Sequence, residues 1–143
     1  MIIAYGSLCI FWTKKKGKRF WTNVRISCVL VEERDHSGKA TSIIADNYHG
    51  MYAVAEHLVR DHGYRRFTYL AGPHGNTDAN ERRQAVFDVM NAYKVSFDES
   101  RVAYGDFSSC VQQQVNQLLD DFPNMEAMIG AAELCKGKNV IPL

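Results

Sequence analysis

The sequence predicts an α/β fold in which a parallel sheet carries helices on both faces. Two observations lead to this prediction. Short apolar runs alternate along the chain with segments whose apolar residues recur every three or four positions, which is the pattern of successive βαβ units. A composition of 46% hydrophobic and 23% charged residues over 143 residues also suffices for a packed core, so we do not expect a disordered chain.

Six short apolar runs are predicted to be strands, because each is bounded by residues that favour turns. They lie at residues 2–5, 26–31, 42–45, 67–71, 101–104 and 127–129. Four of the runs are followed at once by a glycine: Gly6, Gly72, Gly105 and Gly130. The charged stretch at residues 32–39, which contains Gly38, is predicted to be a connector.

The most regular helix is predicted over residues 47–62. Its apolar residues share one helical face, at Met51, Val54, Ala55, Leu58 and Val59. Asp46 or Asn47 is placed to cap the start of this helix. Gly63 follows at the position where helices commonly end in a left-handed residue.

Three further helices are predicted from capping residues. Ser7 is placed to cap a helix that reaches about Thr22, and capping-box patterns begin at Asp78 and at Ser109. In the helix that begins at Asp78, the side chains expected to face the core are Val86, Phe87, Met90 and Tyr93. In the helix that begins at Ser109, they are Val111, Val115, Leu118 and Leu119.

Charge and cysteine content exclude several classes of protein. The formal net charge of +1 argues against this segment itself gripping nucleic acid, which usually requires a basic face. The 4 cysteines form no C-x-x-C pair and none has a histidine at zinc-ligand spacing, so we expect reduced thiols in a cytoplasmic protein and no metal site. Residues 1–12 are apolar, but the basic residues 14–16 follow them, unlike a signal peptide. No apolar stretch approaches the roughly 18 residues of a membrane span.

No catalytic pattern stands out, so we expect a protein that is not an enzyme and has no cofactor. The glycines at 72 and 75 lack the lysine and hydroxyl residue of a phosphate-binding loop, and neither G-x-S-x-G nor H-E-x-x-H occurs. His74 with Asp78 is the best candidate for an alternative reading as a small α/β enzyme.

A ligand site is expected beyond the carboxyl ends of the predicted strands, where open parallel sheets bind their ligands. This rule selects four loops, at residues 46–50, 72–78, 105–108 and 130–133. Each contains a glycine or a capping residue, and helices that start there offer unpaired N–H groups to polar ligands.

Several segments together resemble the LacI/GalR family of transcriptional regulators. The similar stretches are IIADNYHG at 43–50, EHL at 56–58, HGY at 62–64, FTYLAGP at 67–73, ERRQAVF at 81–87 and GDFS at 105–108. No single stretch is specific, but their order is, because each falls at a predicted element boundary. The resemblance implies a fragment of the two-lobed, type I periplasmic-binding-protein-like effector domain.

The resemblance also implies a set of ligand-binding residues. Arg83 falls at the arginine that reaches the polar groups of the ligand, and its guanidinium suits hydroxyl or carboxylate recognition. Phe107 falls at the aromatic residue that packs on a sugar or purine face. Asp46 and His49 lie in the first cleft loop, and Asp106 lies in the loop of Phe107. The alternatives are a surface salt bridge for Arg83 and a core contact for Phe107.

The implied layout places the end of the N-terminal lobe at residues 1–34, a hinge connector at 35–41 and the first part of the C-terminal lobe at 42–143. The expected partners are a small-molecule effector (a sugar, nucleoside or similar compound) and a second copy in a homodimer. DNA would be bound only through a module absent from this chain, and no membrane is involved.

One departure and three other readings accompany this layout. Ala131 and Ala132 stand where the family has an Asn-Asp pair that holds the ligand. The same fold coupled to a signalling enzyme, such as a diguanylate cyclase or histidine kinase, is the main alternative. A solute-binding protein and the small α/β enzyme are the other two.

Overall fold

The computed structural model describes residues 2–5, 8–12, 27–32, 34–106 and 111–131. The chain divides into two compact units, Met1–Asp46 and Asn47–Leu143. None of the helices within the described ranges has the length and hydrophobicity that a transmembrane span requires.

The first unit contains a four-stranded sheet. Its strands are β1 (Ile2–Tyr5), β2 (Leu8–Trp12), β3 (Ser27–Val31) and β4 (Thr41–Ile43), in the order β1-β2-β3-β4. The pairs β2–β3 and β3–β4 are parallel, whereas β1 runs antiparallel to β2. The parallel pairing of β3 with β4 agrees with the predicted sheet.

The helix predicted from Ser7 to about Thr22 is wrong over β2, and its remainder lies outside the described residues. The run Leu-Cys-Ile-Phe-Trp is rich in residues that favour a pleated strand, and β2 pairs with a strand on each side. Sheet pairing therefore outweighs the local capping preference of Ser7.

Within the predicted connector, the described residues 34–40 form a turn region organised by one carboxylate. Asp35 accepts hydrogen bonds from the backbone N–H and hydroxyl of Ser37, at 2.9 and 2.6 Å. It also accepts from the N–H groups of Lys39 and Ala40, both at 2.8 Å. These donors, those of Ser37 first, hold the pKa of Asp35 well below its usual range.

The second unit contains a three-stranded parallel sheet whose strands alternate with helices. Its elements are α1 (Asn47–Arg60), β5 (Phe67–Ala71), α2 (Thr77–Ala92), a 3-10 turn (Glu99–Arg101), β6 (Val102–Tyr104), α3 (Gln112–Asp121) and β7 (Ala127–Gly130). The strand order is β6-β5-β7, and both pairs are parallel. This order confirms the predicted alternation of strands and helices.

The core of the second unit lies between the sheet and helices α1 and α2. Its main members are Ala55, Val59, Phe67, Tyr69, Val86, Val89, Met90 and Ile129. All five residues of the central strand β5 are buried, as expected for a strand covered by other elements. Two residues predicted to face the core do not: Val54 is 51% exposed and Leu119 is 49% exposed. The buried stripe of each helix is narrower than its apolar pattern.

Helix α2 begins two residues earlier than its predicted capping box, with Asn76 and not Asp78 before its first turn. Asn76 is the N-cap, and its side-chain oxygen accepts the N–H of Ala79 at 2.9 Å, so the box assigned to Asp78 is wrong. Helix α3 starts after Val111 without a side-chain cap. Ser109, where the second box was predicted, lies outside the described residues. At the end of α1, Gly63 has φ of +70°, as predicted for a left-handed residue.

One carboxylate joins the start of β5 to the segment before β7. Glu126 accepts the backbone N–H groups of Arg65 and Arg66 at 2.8 and 3.0 Å and pairs with the Arg66 guanidinium at 2.9 Å. The backbone N–H of Arg65, followed by that of Arg66, holds the pKa of Glu126 below its usual value.

A lowered pKa in the folded state predicts acid-sensitive stability. The stability that Glu126 contributes is present above its unfolded pKa of about 4.3 and is lost as the pH falls through the lower folded value. We expect Glu126→Gln to reduce the fall in urea midpoint between pH 6 and pH 3. Asp120→Asn, which removes an exposed carboxylate near the end of α3, is the matched control. Equal falls in the parent and in Glu126→Gln would contradict the assignment.

Candidate ligand-binding site

The three parallel strands of the second unit end at one edge, which we call the carboxyl edge. It is formed by Ala71, Tyr104 and Gly130, the last residues of β5, β6 and β7. The N–H of Gly105 donates to the carbonyl of Ala71 at 2.9 Å, and the N–H of Ala131 donates to the carbonyl of Leu70 at 2.8 Å. The segments after β6 and β7 therefore both begin beside the end of the central strand.

Arg82 connects the carboxyl edge to the first residue of α1. Its Nε donates to Asn47 Oδ1 at 2.8 Å, and its Nη1 donates to the carbonyl oxygen of Ala131. Asn47 is only 5% exposed, so its side-chain oxygen is satisfied by the arginine and not by bulk water. Nη2 of Arg82 makes no hydrogen bond to a described residue, which leaves donors of the guanidinium for other partners.

Arg83 points to the other side of α2, toward the edge strand β6. Its Nη2 pairs with the carboxylate of Glu99, and its guanidinium lies 4.5 Å from the centroid of the Phe87 ring. Tyr104 donates its hydroxyl hydrogen to the same carboxylate, and the ring of His74 stacks on that of Tyr104 at 3.7 Å. Nε of Arg83 is buried and has no hydrogen-bond partner among the described residues.

The electrostatics of this cluster favour a negative Glu99 and a positive Arg83. Burial acts to raise the pKa of Glu99, but the hydrogen bonds from Tyr104 and Arg83 outweigh it and hold the pKa below its usual value. The hydrogen bond to Glu99 correspondingly raises the pKa of Arg83. The pair stays ionised near neutral pH, so it orders the base of α2 against β6.

Tyr69, in the central strand β5, lies in the protein interior. Its side chain is fully buried, and its hydroxyl has no hydrogen-bond partner among the described residues. Burial raises its pKa to about 12, although the charges of Arg82 and Arg83 act in the opposite direction. The phenol is therefore neutral at physiological pH.

The predicted site residues are distributed as follows. Arg83 lies at the base of α2, and Asp106 is exposed directly after Gly105 at the carboxyl edge. His49 is exposed in the first turn of α1, with its ring edge-on to Tyr48 at 5.3 Å. Asp46 is the last residue of the first unit. Phe107 lies outside the described residues. Within the second unit, Arg83 and His49 thus lie on α2 and α1, and Asp106 lies directly after β6.

Arg82, which reaches the strand ends, is not among the site residues predicted from the sequence. Arg82 follows Ala79 by three residues and precedes Val86 and Val89 by four and seven, and these three residues are buried. That spacing places Arg82 on the core-facing side of α2. The apolar periodicity of α2 is therefore the sequence signal that could have shown that Arg82 faces inward and that Arg83 does not.

The described residues provide no support for the His74–Asp78 pair as a catalytic dyad. His74 is held by stacking on Tyr104, and no hydrogen bond joins it to Asp78 within the described part of the chain. A base and its orienting acid must lie within hydrogen-bond reach of each other.

The fold of this chain is that of the effector-binding domains of LacI-family transcriptional regulators. A sugar-binding LacI-family regulator from Escherichia coli, solved with phosphate, superposes with a TM-score of 0.69 at 13% identity over 87% of this chain and 46% of that protein. A PurR-family regulator from Vibrio parahaemolyticus gives a TM-score of 0.69 at 11% identity, over 87% and 48%. These likenesses confirm the predicted α/β fold.

Sequence similarity points to a more particular relative. The chain is 31% identical to the HTH-type transcriptional regulator CelR of Thermobifida fusca over 90 residues, which are 62% of this chain and 26% of CelR. A solved complex of the regulator CelR with cellobiose gives a TM-score of 0.62 at 25% identity, over 73% of this chain and 33% of that one. No family model matches the chain. The chain is thus similar in sequence to CelR and in fold to LacI-family regulators, and it spans about a quarter of the length of the curated relative that it matches.

Proposed function

We propose that this chain senses a small-molecule effector for a transcriptional regulator and binds it at the carboxyl edge of the second unit. The observation that carries the proposal is the position of Arg82, a charged donor held at the ends of the strands with Nη2 unused by the described residues. Open parallel sheets bind their ligands in this position.

The chemistry of the edge suits a polyhydroxylated ligand. The guanidinium presents several N–H donors in one plane, which matches pairs of hydroxyl or carboxylate oxygens. Asp106 adds a carboxylate in the neighbouring loop, which can accept hydrogen bonds from sugar hydroxyls. The solved complex of CelR with cellobiose supports a sugar as the effector class.

The remaining expectations belong to the same proposal. The relatives are transcriptional regulators, which favours a DNA-directed output over coupling to a signalling enzyme and over catalysis. The curated relative is an HTH-type regulator, which supports DNA binding through a separate module. We propose that the whole protein acts in the cytoplasm as a homodimer, with Asp46, His49, Arg83, Asp106 and Phe107 among the residues that line its effector site.

The proposal is tested by saturation-transfer NMR on the chain, because this method detects weak complexes. The probes are cellobiose, glucose and adenosine, which represent the sugar and nucleoside classes. We expect saturation of at least one probe, and we expect chemical-shift changes on binding to be concentrated at the N–H groups of residues 72–79, 105 and 131. A chain that saturates none of the probes would contradict the assignment to this effector class, and shifts confined to other residues would contradict the location.

Substitutions at the two arginines are expected to weaken binding while the chain remains folded. Arg82→Lys keeps the charge but loses the planar set of donors, and we expect about tenfold weaker binding from the loss of one charge-assisted hydrogen bond. Arg83→Ala removes the other guanidinium at the base of α2, and we expect a similar loss of affinity with folding retained.

The control for both variants is Arg60→Ala, an exposed arginine at the far end of α1. Affinity is measured by NMR titration with the probe that binds the parent, and folding by circular dichroism. Unchanged affinity in Arg82→Lys would remove Arg82 from the site, and unchanged affinity in Arg83→Ala would remove Arg83.

A further inference from the structure

Two histidines face each other at the end of α1. Nε2 of His57 lies 3.1 Å from Nε2 of His62, and the two rings are perpendicular with centroids 4.7 Å apart. On its other side, Nδ1 of His57 lies 2.7 Å from the Asp61 carboxylate. Asn47, at the opposite end of the same helix, is bound by Arg82, so the histidine pair is a separate feature from the carboxyl edge.

The backbone explains why residues five apart come into contact. The N–H of Tyr64 donates to the carbonyl of Leu58 at 3.2 Å, and the N–H of His62 donates to the carbonyl of His57 at 3.4 Å. Gly63 takes the left-handed conformation, with φ of +70°, that such a helix end requires. This turn brings His62 back over the last turn of α1, where the ring of Tyr64 stacks against it at 5.4 Å.

The hydrogen bonds determine which nitrogen of His57 is free to coordinate. The Asp61 carboxylate can only accept, so Nδ1 of His57 carries the hydrogen, and Nε2 of the neutral ring therefore has its lone pair. That lone pair points at His62, which must supply the hydrogen for a contact of 3.1 Å. When the hydrogen of His62 is instead on its Nδ1, as in the other tautomer of a neutral imidazole, both Nε2 atoms have lone pairs and can bind one metal ion.

The geometry points to a site for a divalent transition metal of the Zn²⁺ class, with His57 and His62 as its ligands. Two imidazole nitrogens at about 2.0–2.1 Å from a tetrahedral zinc ion lie about 3.3 Å apart. The observed separation of 3.1 Å needs only a small opening of the pair to reach that value. Imidazole is a favoured ligand of Zn, Cu and Ni, so the donor set fits this class of ion.

Asp61 has the role of the carboxylate that orients a metal-bound histidine. Such a carboxylate fixes the ring and its tautomer and raises the basicity of the coordinating nitrogen. Nε of Arg60 also donates to the Asp61 carboxylate at 2.8 Å, which helps to hold that carboxylate beside His57.

The site is open to solvent. The side chains of His57 and Asp61 are 56% and 41% exposed, so an ion can enter without any rearrangement of the core. No group of three or more histidine, cysteine or acidic side chains is arranged for a metal within the described ranges. Two protein ligands leave coordination positions for water, and the site binds more weakly than a closed structural zinc site.

The test is titration of the chain with zinc chloride, followed by calorimetry and by NMR of the histidine ring nitrogens. We expect Zn²⁺ to shift Nε2 of His57 and His62 but not the ring nitrogens of His36. His57→Gln and His62→Gln should each weaken this binding at least tenfold, and Asp61→Asn should weaken it by about tenfold, as for other orienting carboxylates. Zn²⁺ should also raise the thermal midpoint of the parent but not of His62→Gln.

The matched control is His36→Gln, since His36 is an exposed histidine in the first unit. All variants keep the same cysteines, so thiol binding of Zn²⁺ is common to them and cancels in the comparison. Both replaced histidines are exposed, and circular dichroism establishes that each variant is folded. Unchanged affinity in His62→Gln, or an equal loss in His36→Gln, overturns the proposal.

Discussion

Replacing Arg82 with alanine is expected to lower the free energy of unfolding by about 2–4 kcal/mol, because buried acceptors lose a charged donor. The amide oxygen of Asn47 and the carbonyl of Ala131 both accept from this guanidinium, and both residues are less than a tenth exposed. Water cannot readily replace the lost hydrogen bonds without opening the contact between α1, α2 and the end of β7. Urea denaturation at pH 7 measures the change.

Arg83→Ala is the matched control because it removes the same side chain from the next position. The side chains of Arg83 and Glu99 are 31% and 52% exposed, so water can solvate the carboxylate once the arginine is gone. We expect a loss of no more than about 1 kcal/mol, as for other solvent-exposed ion pairs. Equal losses in the two variants would mean that Arg82 does not hold the carboxyl edge together.

Gly105→Ala is expected to destabilise the chain by about 1–3 kcal/mol through overpacking. A Cβ at this position would lie 2.9 Å from Cγ1 of Val111, which is closer than van der Waals contact allows. Val111 is only 6% exposed and is branched at Cβ, so it has little freedom to move away. The N–H of Gly105 is also bonded to Ala71, which limits movement of the glycine.

The comparison variant is Gly50→Ala, which we expect to stabilise the chain by about 0.5–1 kcal/mol. Gly50 lies within α1, and a Cβ there would meet nothing within 4 Å. A double-mutant cycle provides the second check. Val111→Ala should cost less in the Gly105→Ala background than in the parent, because it makes room for the added methyl group. Additive effects would contradict the proposed contact.

The elements of the second unit could be predicted because local pattern and tertiary environment agree there. Residues 67–71 form an unbroken apolar run between turn residues, and the structure buries that run completely as β5. Helix α1 likewise combines one apolar face with a glycine at its end, and Gly63 has the left-handed conformation that the pattern required. Where each local preference favours the same element, a single sequence suffices.

The predictions of secondary structure are wrong where two structural preferences of the sequence compete. Ser7 favours a helix start, but β2 forms because its residues pair with β1 and β3, and such pairing is not visible in a local window. At α2, Asn76 and Asp78 are both good caps, and the side chain that reaches the N–H of Ala79 is that of Asn76. Sequence patterns locate such boundaries only to within a few residues.

The candidate site was predicted as a region but not as a set of contacts. The strand-end rule selected the loops that follow β5, β6 and β7, and these loops do begin side by side at the carboxyl edge. The family resemblance selected Arg83 and not Arg82, because a motif gives the position of an arginine without the rotation of the helix. One step along a helix turns the side chain by about 100°, which directs one arginine to Ala131 and the other to Glu99.

The buried hydroxyl of Tyr69 makes the ultraviolet absorbance of this residue a reporter of the opening of the second unit. A phenol absorbs ultraviolet light more strongly when it loses its proton, and hydroxide cannot reach this one in the closed core. The other tyrosines of the second unit are half-buried, so after a jump to alkaline pH they would ionise before Tyr69, whose hydroxyl becomes accessible only when the second unit opens. The rate of the slow absorbance phase would therefore report the rate at which the core of the second unit opens, without any added dye or label.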